Sequence, residues 1–273
     1  MNLYRECKIE RQITVNSLYT AFETAFDGTY SFAGETHDFW EMVYIKKGTV
    51  GVVADDNVYN LSKGQLILHP PMQFHRIWSE GNENPAVIVI SFGAEWKAYP
   101  ENCIFMLDNE QEKYLDLILE EIKETFVMEK RIVSVCRQGR EIKAQSAVNR
   151  LELLLLSVSA SDSFVCGKTA PNNKKYTEIV KILSDNLDKN LSLADIAEMC
   201  NMSVSNLKKI FYKYSGMGMK RYYNEMKARQ AAQYLRDGLS VKETGALLGF
   251  ADQNYFSVFF KRMMGKSPVN YIK

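Results

Sequence analysis

The sequence predicts an α+β protein: an N-terminal β-barrel, a helical dimerisation segment, and a C-terminal all-α domain built on a double helix-turn-helix. Three observations predict it. The hydrophobic period changes from strand-like to helical after Asp108, the charge changes sign near residue 173, and one helix-turn-helix pattern occurs twice in the basic C-terminal part. The boundaries follow as 1–107 for the barrel, 108–160 for the helical segment, 161–175 for a linker and 176–273 for the double helix-turn-helix. A chain of 273 residues, 46% hydrophobic and 25% charged, is ordinary for a globular protein of about two domains and buries a core without staples.

Residues 1–107 read as short strands. Glu41–Tyr44 is β-branched and aromatic, Lys46-Lys47-Gly48 turns, and Thr49–Val53 resumes. Asp55-Asp56-Asn57 turns again, Val58–Leu61 follows, Ser62-Lys63-Gly64 turns, and Gln65–His69 runs into Pro70-Pro71. Ala86–Phe92 is a further apolar strand. Strands at this spacing indicate a sandwich or barrel. In Gln65–His69, alternation puts Gln65, Ile67 and His69 on one face.

Beyond Asp108, Leu115, Ile118, Ile122 and Phe126 share one helical face of Asn109–Phe126. A second helix covers Glu141–Ser159, where Ala144, Val148, Leu151, Leu155 and Val158 form a coiled-coil-like stripe widened by Leu153, Leu154 and Leu156. Such a stripe packs either on its own barrel or on a second copy as a dimer seam, and periodicity does not choose between them. The Ser-, Asn-, Gly- and Pro-rich stretch after it ends in the linker.

Charge separates the halves. Residues 1–173 hold 17 Lys+Arg against 24 Asp+Glu, net −7, and residues 174–273 hold 17 against 9, net +8. A basic block on an acidic body is the footprint of a polyanion-binding domain. Five scattered cysteines (Cys7, Cys103, Cys136, Cys166, Cys200), odd in number and without a C-x-x-C pair, argue against a disulfide framework or a zinc ribbon. No apolar run reaches the roughly 18 residues of a membrane span. The segment Met1–Cys7 has no signal-peptide core, so a cytoplasmic location is expected.

The basic half contains a repeat. Ser192 with Asp195 caps a helix start, Ala197 is small enough for a close helix crossing, Asn201 suits a left-handed helix end, and Ser203 caps a second helix, Val204–Tyr214, closed by Gly216. Ser240–Phe250 repeats the order, with Gly245 at the small position, Gly249 at the turn and Asp252 starting the next helix. Leu207, Phe211 and Gly216 match Phe256, Phe260 and Gly265 in spacing. Between the units, Lys220–Asp237 reads as a helix with Tyr223, Met226, Ala231 and Leu235 inward. At ~1.5 Å per residue it is a rod of about 27 Å. With the width of the modules, it can place two recognition helices in major grooves ~34 Å apart.

Leu191–Gly216 with Ser240–Ile272 resembles the DNA-binding domain of AraC/XylS-type transcription regulators. The most specific stretch runs from Gly249-Phe250-Ala251-Asp252-Gln253-Asn254-Tyr255-Phe256 through Phe259-Phe260-Lys261-Arg262 to Gly265, Ser267-Pro268 and Tyr271. In the first unit the apolar positions leave Ser205, Asn206, Lys208 and Lys209 outward. The resemblance implies base contacts from Ser205, Lys208 and Lys209, and from Gln253, Asn254 and Ser257 in the second unit. Amides suit adenine and lysine suits guanine. Lys261 and Arg262 suit phosphates, which position without reading. Val258 stands where the family is usually basic, and Thr244-Gly245 replaces its usual Ile-Ala pair.

His37-Asp38-Phe39-Trp40-Glu41, Gly48, Gly64–Pro71 and His75 are similar to the cupin-like sensor domain common in that family. The resemblance implies a small barrel holding one ligand, with His37, Glu41, His69, His75, Trp40 and Tyr44 as candidate effector contacts. Trp40, Tyr44, Phe74 and Trp78 offer flat walls for a sugar or an aromatic effector. In metal-binding cupins the positions of His37, Glu41 and His75 are ligands; here Glu35 stands at the first ligand position and Met72 where glycine is typical. The expectation is therefore no metal and no cofactor, with His37, Glu41 and His75 as the alternative metal set. The expected function is a sequence-specific transcription regulator, an activator by the commoner family mode, with double-stranded DNA, a small-molecule effector, RNA polymerase and a second copy as partners and no membrane. A metal-dependent cupin enzyme or metal sensor fused to a DNA-binding domain is the alternative, and a protein-interaction role for the basic half a third.

Overall fold

The structure is a computed structural model and describes residues 6–81, 84–97, 99, 104–160 and 173–272. The N-terminal half contains β1 (Ile13–Ala25), β2 (Trp40–Lys47), β3 (Thr49–Ala54), β4 (Asn57–Ser62), β5 (Gln65–His69), β6 (His75–Ser79), β7 (Ala86–Trp96) and β8 (Ile104–Met106). Then come α1 (Asn109–Thr125), β9 (Phe126–Glu129), β10 (Ile132–Cys136) and α2 (Glu141–Ala160). The C-terminal half is helical: α3 (Lys174–Asp185), α4 (Leu193–Met199), α5 (Val204–Ser215), α6 (Met219–Arg236), α7 (Val241–Leu247), α8 (Gln253–Met264) and α9 (Pro268–Ile272). Most of the linker expected at 161–175 lies outside the described residues, as do Cys103 and Cys166.

Strand alternation builds the molecule in layers. A seven-stranded antiparallel sheet runs β8-β5-β2-β7-β1-β10-β9, and a three-stranded sheet runs β4-β3-β6. Val43, Ile45, Ile67, Val87 and Val89 of the large sheet meet Val50, Val52 and Ala54 of the small one, and these apolar side chains fill the space between the sheets. The other face of the large sheet, with Met42, Leu66, Leu68, Ile88 and Ile90, is covered by α1 and α2. The other face of the small sheet carries Val53, Val58 and Phe74 onto α3, α5 and α6. In β6 this alternation sends His75 and Ile77 inward and Arg76 and Trp78 outward to the helical domain.

Two expectations change here. The segment 108–160 is not all helical. The hairpin β9–β10 interrupts it and adds to the large sheet through β1, with Thr20 opposite Ile132. Its strands are short and partly exposed, and Phe126 falls in step with the preceding helical stripe, so no alternating signal stands out. The stripe on α2 is not a seam with Leu151, Leu155 and Val158 outward. All three are fully buried against the sheet together with Ala147 and Leu154. Each such side chain stabilises by roughly 1.5–3 kcal/mol. Buried Glu152 on the same helix accepts hydrogen bonds from Val15 N at 2.8 Å and from Arg11 Nη2, which ties α2 to β1.

The helical domain has two lobes on a shared spine. The first half of α6 (Met219, Tyr222, Tyr223) packs with α3, α4 and α5, and the second (Ala228, Ala231, Ala232, Leu235) with α7, α8 and α9. Met226, expected inward, is only partly buried. The caps stand where the sequence puts them. Ser192 and Ser240 form capping boxes with Asp195 and Glu243, Ser203 and Asp252 cap the second helices, and Asn201 is left-handed at φ 51°. Gly249 is obligatory: at φ +75° a Cβ would lie 1.7 Å from the Asp188 carbonyl oxygen. Gly245 lets Phe256 of α8 approach, since a Cβ there would sit 3.2 Å from its ring. Beside it, Thr244 is buried with no partner for its hydroxyl, a cost of about 1–3 kcal/mol.

Candidate functional site

The histidines gather at one end of the barrel. Glu41 on β2, His75 on β6, and Glu35 and His37 on the loop before β2 bring one ligand atom each within 4.8 Å of one another. Backbone pairing sets this up: Glu35 bridges His75, and Met72 N donates to His37 O at 2.6 Å. Met72 sits at φ +68°, a region costing about 1–3 kcal/mol for a residue with a side chain. Its carbonyl also accepts from Arg229 on α6 at 3.1 Å, so contacts from both domains hold the strained turn.

Each imidazole is oriented. His37 Nδ1 lies 2.9 Å from Phe39 O and His75 Nδ1 lies 3.2 Å from Gln73 O. A carbonyl only accepts, so each Nδ1 carries the proton that donates. Both Nε2 atoms are buried and find no hydrogen-bond partner. His75 Nε2 stands 3.3 Å from Glu41 and 3.8 Å from Glu35, ion-pair distances without hydrogen-bond alignment, and His37 Nε2 is 3.9 Å from Glu41. Glu41 accepts from Ser91 Oγ at 3.0 Å, and Ser91 Oγ is itself paired with Thr20. Burial opposes charge on Glu41, but the three imidazoles outweigh it and hold the carboxyl down at about 2. Burial likewise opposes charge on His75, outweighed by Glu35 and Glu41, which lift it to about 9. His69 stacks on His75 at 4.4 Å and its Nδ1 donates to Gln73 Oε1 at 2.8 Å; burial and the His75 charge push it down to about 3. Burial and His75 also lower His37.

Trp40 and Tyr44 do not join this group. They alternate with Glu41, so they point through the sheet to α1 and α2, where Trp40 packs on Trp96 and Tyr44 lies in the helix-facing core. Phe74 and Trp78 face the helical domain and wall no barrel cavity. The space next to the cluster is a cleft of about 470 Å³ between the domains. Glu35, His37 and Met72 line one side, and Arg229, Met263 and Lys266 the other.

The helical domain is docked on the small sheet by polar contacts that no local motif announces. The Asp55 carbonyl accepts from Tyr176 and Tyr222 hydroxyls at 3.2 and 3.3 Å, and its carboxylate accepts from Arg229 at 2.8 Å. Arg76 donates to Phe32 O and Ser31 Oγ on its own side and to Lys213 O and Tyr214 O at the end of α5. Gly216 caps that helix at φ +67°, where a Cβ would meet Ala33 O at 2.8 Å. Removing the guanidinium should weaken docking by about 1–3 kcal/mol. Arg76→Ala is expected to split one calorimetric unfolding transition into two; a single unshifted transition would show that the contact is not holding the domains.

The second candidate surface is the outer face of the two second helices. On α5, Ser205, Asn206, Lys208 and Lys209 are exposed while Leu207 and Phe211 are buried. On α8, Gln253, Asn254, Lys261 and Arg262 are exposed, and Ser257 is half-buried with its hydroxyl donating to Gln253 O. Tyr212, Tyr255 and Val258, each more than 60% exposed, share these faces; they carry no periodic signal that separates them from core aromatics.

Comparison with known proteins agrees with this division. The AraC-like ligand binding domain family matches residues 21–113 and a helix-turn-helix domain family matches residues 196–273. The HTH-type transcriptional activator RhaS of Salmonella arizonae is 25% identical over 248 residues, covering 87% of this chain and 86% of its own. The activator RhaR of Mannheimia succiniciproducens is 22% identical over 86% of this chain and 85% of its own. The uncharacterized HTH-type transcriptional regulator YfiF of Bacillus subtilis is 23% identical over 92% and 82%. Among solved structures, ToxT of Vibrio cholerae aligns over 96% of this chain and 98% of its own at 16% identity, with a TM-score of 0.37.

Proposed function

Because the chain belongs to the AraC family of transcription regulators, with an N-terminal ligand-binding domain and a C-terminal helix-turn-helix DNA-binding domain, we propose that α5 and α8 read operator DNA in successive major grooves. The observation that carries this is that both helices turn their polar and basic side chains outward from capped, packed units in the half of net charge +8. Ser205, Asn206, Lys208 and Lys209 form the first reading surface, Gln253, Asn254 and Ser257 the second, and Lys261 and Arg262 hold phosphates. The full chain should bind duplex DNA with a sequence preference and an affinity that falls steeply with salt as counterions are released. Salt-insensitive binding, or equal binding to all duplexes, would overturn this reading.

The effector site is placed at the Glu35–His37–Glu41–His75 end of the barrel, opening on the interdomain cleft, with His69 behind it. The apolar packing between the two sheets supports this position over one deeper inside. The protein acts as a regulator and not as an enzyme, in the cytoplasm; among the described residues no helix is long and apolar enough to cross a membrane. RhaS and RhaR bear the name activator, which supports activation through RNA polymerase as the output.

A homodimer is part of the proposal, on the opposite face of α2 from the one the sequence suggested. Ile142, Ser146, Asn149, Leu153 and Leu156 recur at steps of four and three, with Ile142 and Leu153 largely exposed. Ile142, Ser146, Asn149 and Leu153 line a groove together with Tyr114, Gln145 and Arg150. A second copy crossing antiparallel supplies matching knobs for it.

A further inference from the structure

We infer that Glu35, His37, Glu41 and His75 bind one divalent first-row transition-metal ion, and that this ion pins the loop before β2 onto β6. The inference deepens the effector site placed above and rests on that placement. Four observations carry it.

The donor atoms already converge: bonds of ~2.0–2.2 Å put ligand atoms about 3.3–3.6 Å apart around a tetrahedral ion and up to about 4.4 Å apart across an octahedral one. The four here lie within 4.8 Å, so they need only a small closure. Both imidazoles are set as ligands. Their Nδ1 protons are given to the carbonyls of Phe39 and Gln73, which leaves Nε2 of each ring as the position a metal takes. Those two Nε2 atoms are buried without hydrogen-bond partners, and the His75 side chain is only 5% exposed. The charge balances once the ion displaces the Nε2 proton of His75: two carboxylates and two neutral imidazoles match a dication, and a mixed nitrogen and oxygen set suits Zn, Ni, Co, Fe or Mn rather than Ca or Mg.

The supporting shell is also present. Ser91 holds the Glu41 carboxylate and Thr20 holds Ser91, so the carboxylate is oriented from behind. Glu35, whose side chain is 48% exposed, is the movable ligand at the cleft side. It is joined to His75 through a backbone bridge, so the ion closes a ring between the loop and β6. The next residue on β6, Arg76, holds the last carbonyls of α5, which puts the ring one residue from the reading helix.

The test uses the full chain without a histidine tag, stripped with chelator and titrated with cobalt(II) by calorimetry and visible absorption. One equivalent should bind, with ligand-field bands of nitrogen and oxygen coordination and a chelator-reversible rise in melting temperature. Glu35→Gln lies at the rim and should leave the metal-free melting unchanged; His37→Gln replaces a largely buried ring and is read by its cobalt affinity. Each should weaken cobalt binding by at least the ~10–100-fold that loss of an outer-shell partner costs. His75→Gln should weaken it further. Absence of a saturable site, or equal affinity in wild type and the Glu35 and His37 variants, would overturn the inference. DNA binding is measured separately on the stripped protein. If DNA binding holds while cobalt fails, the metal site alone is wrong; if cobalt binds as expected and DNA does not, the reading helices alone are wrong.

Discussion

Leu151→Asp should unfold the N-terminal domain rather than separate two subunits. Leu151 is 0% exposed on the face of α2 that lies on the large sheet. Removing a buried leucine side chain costs about 2–5 kcal/mol. Burying a carboxylate without a partner adds to that unless it takes up a proton. The total rivals the ~5–15 kcal/mol that holds a typical domain together. Thermal melting should show loss of the native transition. Leu153→Asp with Leu156→Asp, on the outer face, should leave melting within about 0.5 kcal/mol of wild type. The same pair should yield monomers in sedimentation. If Leu151→Asp melts normally and only dissociates, the packing of α2 on its own sheet is wrong. If the Leu153/Leu156 variant remains a dimer, the seam lies elsewhere.

The second large effect is expected on α5. Lys208→Ala and Lys209→Ala should each lower DNA affinity by about 1–3 kcal/mol, roughly 10–100-fold, and relax preference at the bases they read. Both side chains are exposed on a capped helix, and among the described residues neither is engaged in an ion pair, so nothing in the protein competes for them. Because they sit away from the buried Leu207 and Phe211, folding should be unaffected. Lys261→Ala on α8 should act differently: a uniform loss across sequences and a salt slope smaller by ~1, the mark of a phosphate contact. Equilibrium binding to a set of duplexes at several salt concentrations separates the two patterns. Equal losses on all duplexes for the α5 variants would leave that helix as a backbone clamp only. Gln253→Ala should have a weaker effect than either α5 change, because Val258, exposed one turn beyond Asn254 on the same helix, supplies no hydrogen bond to a base.

What could be read along the chain and what could not divides by the range of the interaction. Capping needs only a serine or aspartate and a backbone N–H two or three residues on, so the starts of α4, α5, α7 and α8 were visible at Ser192, Ser203, Ser240 and Asp252. The left-handed turns at Asn201 and Gly249, the alternation of β5 and the apolar stripe of α1 are equally local. The charge division and the twofold helix-turn-helix also lie in the sequence itself. Periodicity marked a face of α2 but not its partner: the same stripe satisfies a sheet of the same chain or a helix of another. The sheet lies closer, so it takes Leu151, Leu155 and Val158.

The site shows the same limit. His37, Glu41 and His75 could be singled out by type and spacing, and they converge. Trp40 and Tyr44 could not be assigned a side until β2 was placed between two layers, because adjacent residues of a strand point to opposite faces. The docking of the domains was invisible. Its acceptors are largely backbone carbonyls of Asp55, Lys213 and Tyr214, groups that every residue has, met by Tyr176, Tyr222 and Arg76 from the other half of the chain. The sequence by itself determined the element types, their caps, the paired DNA-reading units and the electrostatic division of labour, since each depends on residues a few positions apart or on composition. Only the tertiary structure decided which face of α2 is free, that the polar end of the barrel opens toward the helical domain, and that β6 joins His75 to α5, since these depend on which surfaces exclude water from one another across more than a hundred residues of chain.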